Sequence, residues 1–215
     1  MGFFQIFKKH EPEFIKLPQP DNSIPFFETI KIESEKYWGE TTINNNVYGF
    51  QIQPESKWKP GLDDHALLEF EQALGFKFPL SLWNFYKTMN GLTKPGINIY
   101  GNSGTPEAFR PVFYSYPEDL DIIDAYINGV LEANNITKDD LVNQGISRIF
   151  PVFSHRFILI DAPVNPILSM YRDDIIYWAD NLSKLLATEI FTNIYNAWDY
   201  ESKTENCPEI KFWLD

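Results

Sequence analysis

The stretch from Asp63 to Gly91 constrains this chain most, because it carries start, stop and face signals for two successive helices. Asp63 or Asp64 can cap the first helix, its carboxylate accepting hydrogen bonds from the free N–H groups of the opening turn. Leu67, Phe70 and Leu74 recur at spacings of three and four and so share one face. Gly75 suits the left-handed position after a helix, which other residues enter only with strain, and Phe76 can fold back onto the helix it leaves. Pro79 suits the first turn of a second helix, where a backbone N–H would be unpaired in any case. Leu82, Phe85 and Met89 supply the second apolar stripe, and Asn90-Gly91 ends it. All of these residues read as core and caps, and none as catalytic.

Charge narrows the partners. The 215 residues carry a formal net charge of −12 and a pI near 4.7. Such a chain repels a phosphate backbone and an anionic membrane surface, which excludes nucleic acid and membrane as expected partners. It favours a basic protein, because opposite fields speed encounter. With 18 Phe, 11 Tyr and 6 Trp there is ample apolar area for a core. The lone cysteine, Cys207, can form neither an internal disulfide nor a thiolate metal cage. That fits a reducing compartment. Residues 1–10 lack the apolar run of a signal peptide, and no window approaches 18 apolar residues. The expectation is a cytoplasmic protein.

Taken in order, residues 1–30 form a proline-broken leader, and residues 29–38 and 47–53 alternate well enough to predict a β-hairpin turning at Asn44-Asn45-Asn46. Trp58 to Gly61 reads as a linker. After the helical pair come a short strand at Ile97–Tyr100, a polar turn at Gly101–Gly104 and a strand over Arg110–Tyr116. A helix then opens at Pro117-Glu118-Asp119 and buries Leu120, Ile123, Ile127 and Val130 or Leu131. Thr137 and Asp140 predict a capping box. Arg148–Phe153, Arg156–Asp161 and Ile167–Tyr171 predict an antiparallel meander. Asp173 and Asp174 are expected to cap one long amphipathic helix from Ile175 to Trp198. The fold class is α+β: a mainly antiparallel sheet packed against several helices, with an N-terminal β-hairpin extension.

The order Phe70-Glu71, Leu74-Gly75, Phe78-Pro79, Phe85 and Asn90-Gly91 resembles the opening of the SUKH superfamily, the Smi/Knr-like domains. The resemblance continues with Pro151 in one strand and Asp161 at the end of the next. It departs at Ser154-His155-Arg156, where that superfamily usually has a glycine-rich turn. It covers residues 55–198, leaving 1–54 as an extension and 199–215 as a tail. The resemblance implies Glu71, Leu74, Gly75, Pro79, Asn90, Gly91 and Asp161 as structural motif residues. It also implies a non-enzymatic protein-binding domain, many of whose bacterial members are immunity proteins that neutralise toxins.

The sequence carries no recognisable reactive constellation. His10, His65 and His155 lie in unrelated segments without metal-ligand spacing. Asp63-Asp64, Asp139-Asp140 and Asp173-Asp174 each stand at a helix start, where capping explains them. No catalytic residue, metal or cofactor is assigned, and Cys207 has no nucleophile signature. The leading reading is an immunity protein that occludes the active site of a basic cognate toxin. Its candidate contacts are Glu118, Asp119, Asp121 and Asp124 on one helix, with Trp58 as an aromatic anchor. A regulatory or scaffolding module, and a hydrolase whose carboxylates converge across a cleft, stay open beside it.

Overall fold

The computed structural model describes residues 17–45, 49–98, 108–191 and 210–214. Ser23 opens α1 (Ile24–Glu40), its hydroxyl accepting from the Phe26 amide at 3.2 Å, with Pro25 in the first turn. This helix replaces the predicted first strand of the hairpin. Ile30 and Ile32 alternate in sequence as a strand would. The decisive pattern is Phe26/Phe27, Ile30, Ser34 and Trp38, buried at helical spacing while Ile32 is 64% exposed. Of the second predicted strand, residues 47 and 48 lie outside the described residues, and Gln51 forms a single antiparallel bridge to Ile97.

An antiparallel pair does stand beside α1, built from other residues. Strand β1 (Trp58–Pro60), expected to be a linker, pairs with β2 (Met89–Leu92). Between them run α2 (Asp64–Leu74) and α3 (Leu80–Thr88), the two predicted helices. The Asp63 carboxylate accepts from the Ala66 amide at 2.8 Å. Gly75 sits at φ +78 and its N–H reaches the Glu71 carbonyl. Pro79 stands one residue earlier than expected, at the N-cap of α3.

Strand β3 (Gly96–Asn98) pairs with β4 (Ala108–Arg110). The expected strand over Arg110–Tyr116 stops at Arg110, and Val112–Ser115 runs on as buried irregular chain. The polar turn at 101–104 lies outside the described residues. Next comes α4 (Leu120–Ala133), burying Ile123, Ile127, Val130 and Leu131. In α5 (Lys138–Gln144) both halves of the capping box are made: Thr137 Oγ1 accepts from the Asp140 amide and Asp140 from the Thr137 amide.

The main sheet runs β5 (Ile149–Phe153), β6 (Arg156–Leu159), β7 (Ile167–Tyr171) and β8 (Asp174–Ala179), antiparallel throughout and in sequence order. Pro151 is tolerated because β5 is an outer strand of this sheet. At the β5–β6 turn Ser154 adopts φ +49, the left-handed conformation a glycine would supply. Phe150, Ile158 and Ile167 stand side by side across three strands. Phe150 packs on Phe70, Phe78 and Tyr86 at 5.7–5.9 Å, so this face of the sheet meets α2 and α3. The opposite end of the sheet is tied to α4 by Asn134, which donates to the Arg172 carbonyl.

Strand β8 overturns the expected long helix. Asp173 and Asp174 cap nothing; Asp174 pairs with Tyr171 at the start of the strand. The run Ile175-Ile176-Tyr177-Trp178 is β-branched and aromatic, and pairing with β7 settles its conformation. The helix that remains is α6 (Leu182–Ile190), capped by Asn181 through the Lys184 amide at 2.9 Å and burying Leu182, Leu185, Leu186 and Ile190. Residues 192–198 lie outside the described residues, as do His10, Cys207 and the predicted leader up to residue 16. Trp213 near the C-terminus is 3% exposed and donates to the Ser147 carbonyl.

Candidate protein-binding site

The motif residues have definite work. The Glu71 carboxylate is 4% exposed and accepts from the Phe78 amide at 2.6 Å and from Lys77 Nζ at 2.7 Å. It thereby fastens α2 to the start of α3. Asn90 exchanges two hydrogen bonds with the backbone of Tyr116, at 2.7 and 2.8 Å. Gly91 has φ +71, and a Cβ there would lie 2.1 Å from Ser115 Oγ. Asp161 takes the Arg148 guanidinium and amide together, and Arg148 covers the Phe76 ring at 5.5 Å. The Arg148 hydrogen bonds hold the Asp161 carboxyl below its usual range. Leu74 is half-buried against the core.

The expected contact residues separate. Glu118 is 58% exposed and 3.8 Å from Lys59; Asp124 is 41% exposed and 3.3 Å from Lys138. Such surface pairs hold their partners loosely, at about 0–1 kcal/mol each. Asp121 faces solvent in the first turn of α4. Asp119 turns inward, accepting from the Ser115 amide at 2.7 Å. Trp58 is only 5% exposed and is packed by Trp38, Phe85 and Phe113 at 4.6–6.0 Å, with its indole N–H on Ser34. It is a core residue and cannot anchor a partner.

A cluster that sequence reasoning missed sits where β6, β7, β8 and α6 meet. Arg156 opens β6, and the register places Ser169 directly across on β7 and Ile176 beyond it on β8. The Arg156 guanidinium lies 3.6 Å over the Trp178 ring, donates to Ser169 Oγ at 2.7 Å and pairs with Glu189 at 3.3 Å. Trp178 Nε1 donates to the same Glu189 oxygen at 2.6 Å. Arg156 also contacts His155, whose ring meets Tyr171 edge-on at 6.2 Å. Tyr171 is 64% and Ile176 50% exposed beside this brace. A cleft of about 320 Å3 opens next to it, walled by Tyr37, Trp38, Phe50, His155, Arg156 and Glu189. The residues of the brace itself are scattered from 155 to 189 with no local pattern; the strand register, with α6 packed beside it, assembles them.

Chemically the cluster is a brace. Ser154 Oγ is 3.4 Å from His155 Nδ1, the spacing of a loose nucleophile–base pair. The other His155 nitrogen faces a cation, where a base would need an acceptor to orient it. Burial, and then the Arg156 charge, pull the imidazole down to about 4, leaving it a weak base. Among the described residues no group of three or more His, Cys, Asp or Glu side chains is placed to hold a metal. No helix among them is long and apolar enough to cross a membrane.

A family model described as SMI1 / KNR4 family (SUKH-1) matches residues 61–196 of this chain. No curated protein matches it.

Proposed function

Since the chain belongs to the SMI1 / KNR4 family (SUKH-1), we propose that it acts by binding a basic protein, as the cytoplasmic immunity protein of a bacterial toxin system, and carries out no reaction itself. The family match carries this reading, because the bacterial members that the chain resembles include proteins that neutralise toxins. The net charge of −12 supports a basic partner, since complementary fields raise the encounter rate and align the faces. Occlusion is the mechanism: the domain seats on the toxin and denies substrate its entry. The start of α4 is the proposed steering face, with Glu118, Asp121 and Asp124 turned outward and Asp119 bracing the turn beneath them. The test is growth of cells expressing the product of the gene neighbouring this one, with and without this chain. Rescue by the wild type, weakened in the triple variant Glu118→Lys, Asp121→Lys, Asp124→Lys, is the expected result. Toxicity unrelieved by well-expressed wild type overturns the reading.

A further inference from the structure

The residues ahead of α1 and α6, the start of α3 and the β6–β7 loop enclose a second cleft, of about 310 Å3. Its two lips are apolar and unusually bare: Leu80 and Val164 are each 73% exposed. Val164 is also held at φ +58, which a β-branched residue adopts only under strain. The following residue fixes the loop in that shape. Asn165 donates its carboxamide to the carbonyls of Leu159, Ile160 and Ala162 at 2.9–3.1 Å. The fold thus strains its backbone to hold a valine out in water beside a hollow. The floor is polar. Ser81, 6% exposed, has a buried Oγ with no hydrogen-bond partner among the described residues. Asn22 and Asn181 add carboxamides. Asp21 is the one charged group among the described lining residues. It accepts from the Ser23 amide at 2.9 Å, and its hydrogen bonds to Ser23 keep it ionised below the usual carboxylate range.

Two ligand charges compete for such a site. Three helices begin here, and helix starts favour anions. Two of them are already answered: α1 by Ser23, and α6 by Asn181 on the Lys184 amide and Asn22 on the Ser183 amide. Only α3 starts without a side-chain cap, leaving a positive end of about half a unit charge against the full negative charge of Asp21. The balance favours a cation. A long aliphatic stem ending in a cationic head matches two apolar lips and one carboxylate.

We propose that the Leu80–Val164 cleft is a docking socket for a lysine or arginine side chain of a partner protein. The socket rests on the reading of this chain as a protein-binding domain and gives that reading a second contact point, apart from α4. The test is a heteronuclear NMR titration of the full chain with acetyl-Leu-Lys-Leu-amide and, separately, acetyl-Leu-Glu-Leu-amide, at millimolar concentrations. The lysine peptide is expected to shift the Ser81 amide and the side-chain amides of Asn22, Asn165 and Asn181, and to saturate. Asp21→Asn, at an exposed position, should weaken it by up to roughly five-fold, the scale of one exposed ion pair. Leu80→Ser should weaken it independently of charge. Absence of a saturable shift at these residues overturns the proposal; so does equal or tighter binding of the glutamate peptide, which would make the cleft an anion site. Failure of toxin rescue with an intact peptide response sinks the immunity reading and spares the socket. Rescue without a peptide response does the reverse.

Discussion

Gly75 and Gly91 both hold left-handed backbone, at φ +78 and +71, yet their surroundings differ. An added Cβ meets nothing within 4 Å at Gly75 but lies 2.1 Å from Ser115 Oγ at Gly91. Gly75→Ala should therefore cost only the conformational penalty, about 1–2 kcal/mol. Gly91→Ala should cost clearly more, as read from urea midpoints. Glu71→Ala should cost about 1–3 kcal/mol, because it strands the buried Phe78 amide, and Glu71→Gln should recover part of the loss by keeping an acceptor. His155 gives a pH signature. Its ordinary value of 6.5 is drawn down to about 4 by burial and by Arg156. Between those values the unfolded chain takes up a proton that the folded chain refuses, so stability falls as pH drops from 6.5 towards 4, and the loss levels off below. Wild type should lose more urea resistance between pH 7 and pH 4.5 than His155→Gln, in which the carboxylates still titrate but this group does not. The motif residues were legible because their partners are near in sequence: Glu71 needs only Phe78, and Gly75 only its own helix. Arg156, Trp178 and Glu189 were not, because only the register of β6, β7 and β8 brings them together.

At the scale of elements, the misread segments share a cause. Residues 29–38 and 174–179 are rich in Ile, Tyr and Trp, and short apolar runs of that kind satisfy both periods. Tertiary packing decides between them. Facing α3, residues 26–38 bury a helical stripe, with Phe27 against Phe85 at 5.9 Å. Beside β7, residues 174–179 find a ladder partner. The α2–α3 pair, α5 and the β5–β7 meander were legible because caps and turns mark their ends. If α1 is integral to the core, Phe27→Ala, at a fully buried ring, should cost about 3–5 kcal/mol in chemical denaturation. A loss under 1 kcal/mol would mean that α1 merely rests on the domain. Asn181→Ala should cost about 1 kcal/mol, through loss of the α6 cap.

For the whole molecule, charge sets the expected kinetics. If −12 steers a basic partner, association measured by stopped flow should slow on the order of tenfold between low salt and half-molar salt, with dissociation changing less. A salt-independent association rate would remove the electrostatic part of the proposal. The charge total was readable in the sequence; which of the expected contact residues face solvent was not, since Asp119 proved inward and Trp58 buried. The bonds joining Asn22 to Ser183 span 161 residues and stitch the lead-in to α1 onto α6. Synthesis of that interval takes roughly ten to thirty seconds. During that time α1 leaves the ribosome without the helix it is laced to. Nascent chains arrested before Leu182 should remain open to protease at α1, so assembly of this domain waits on translation of α6.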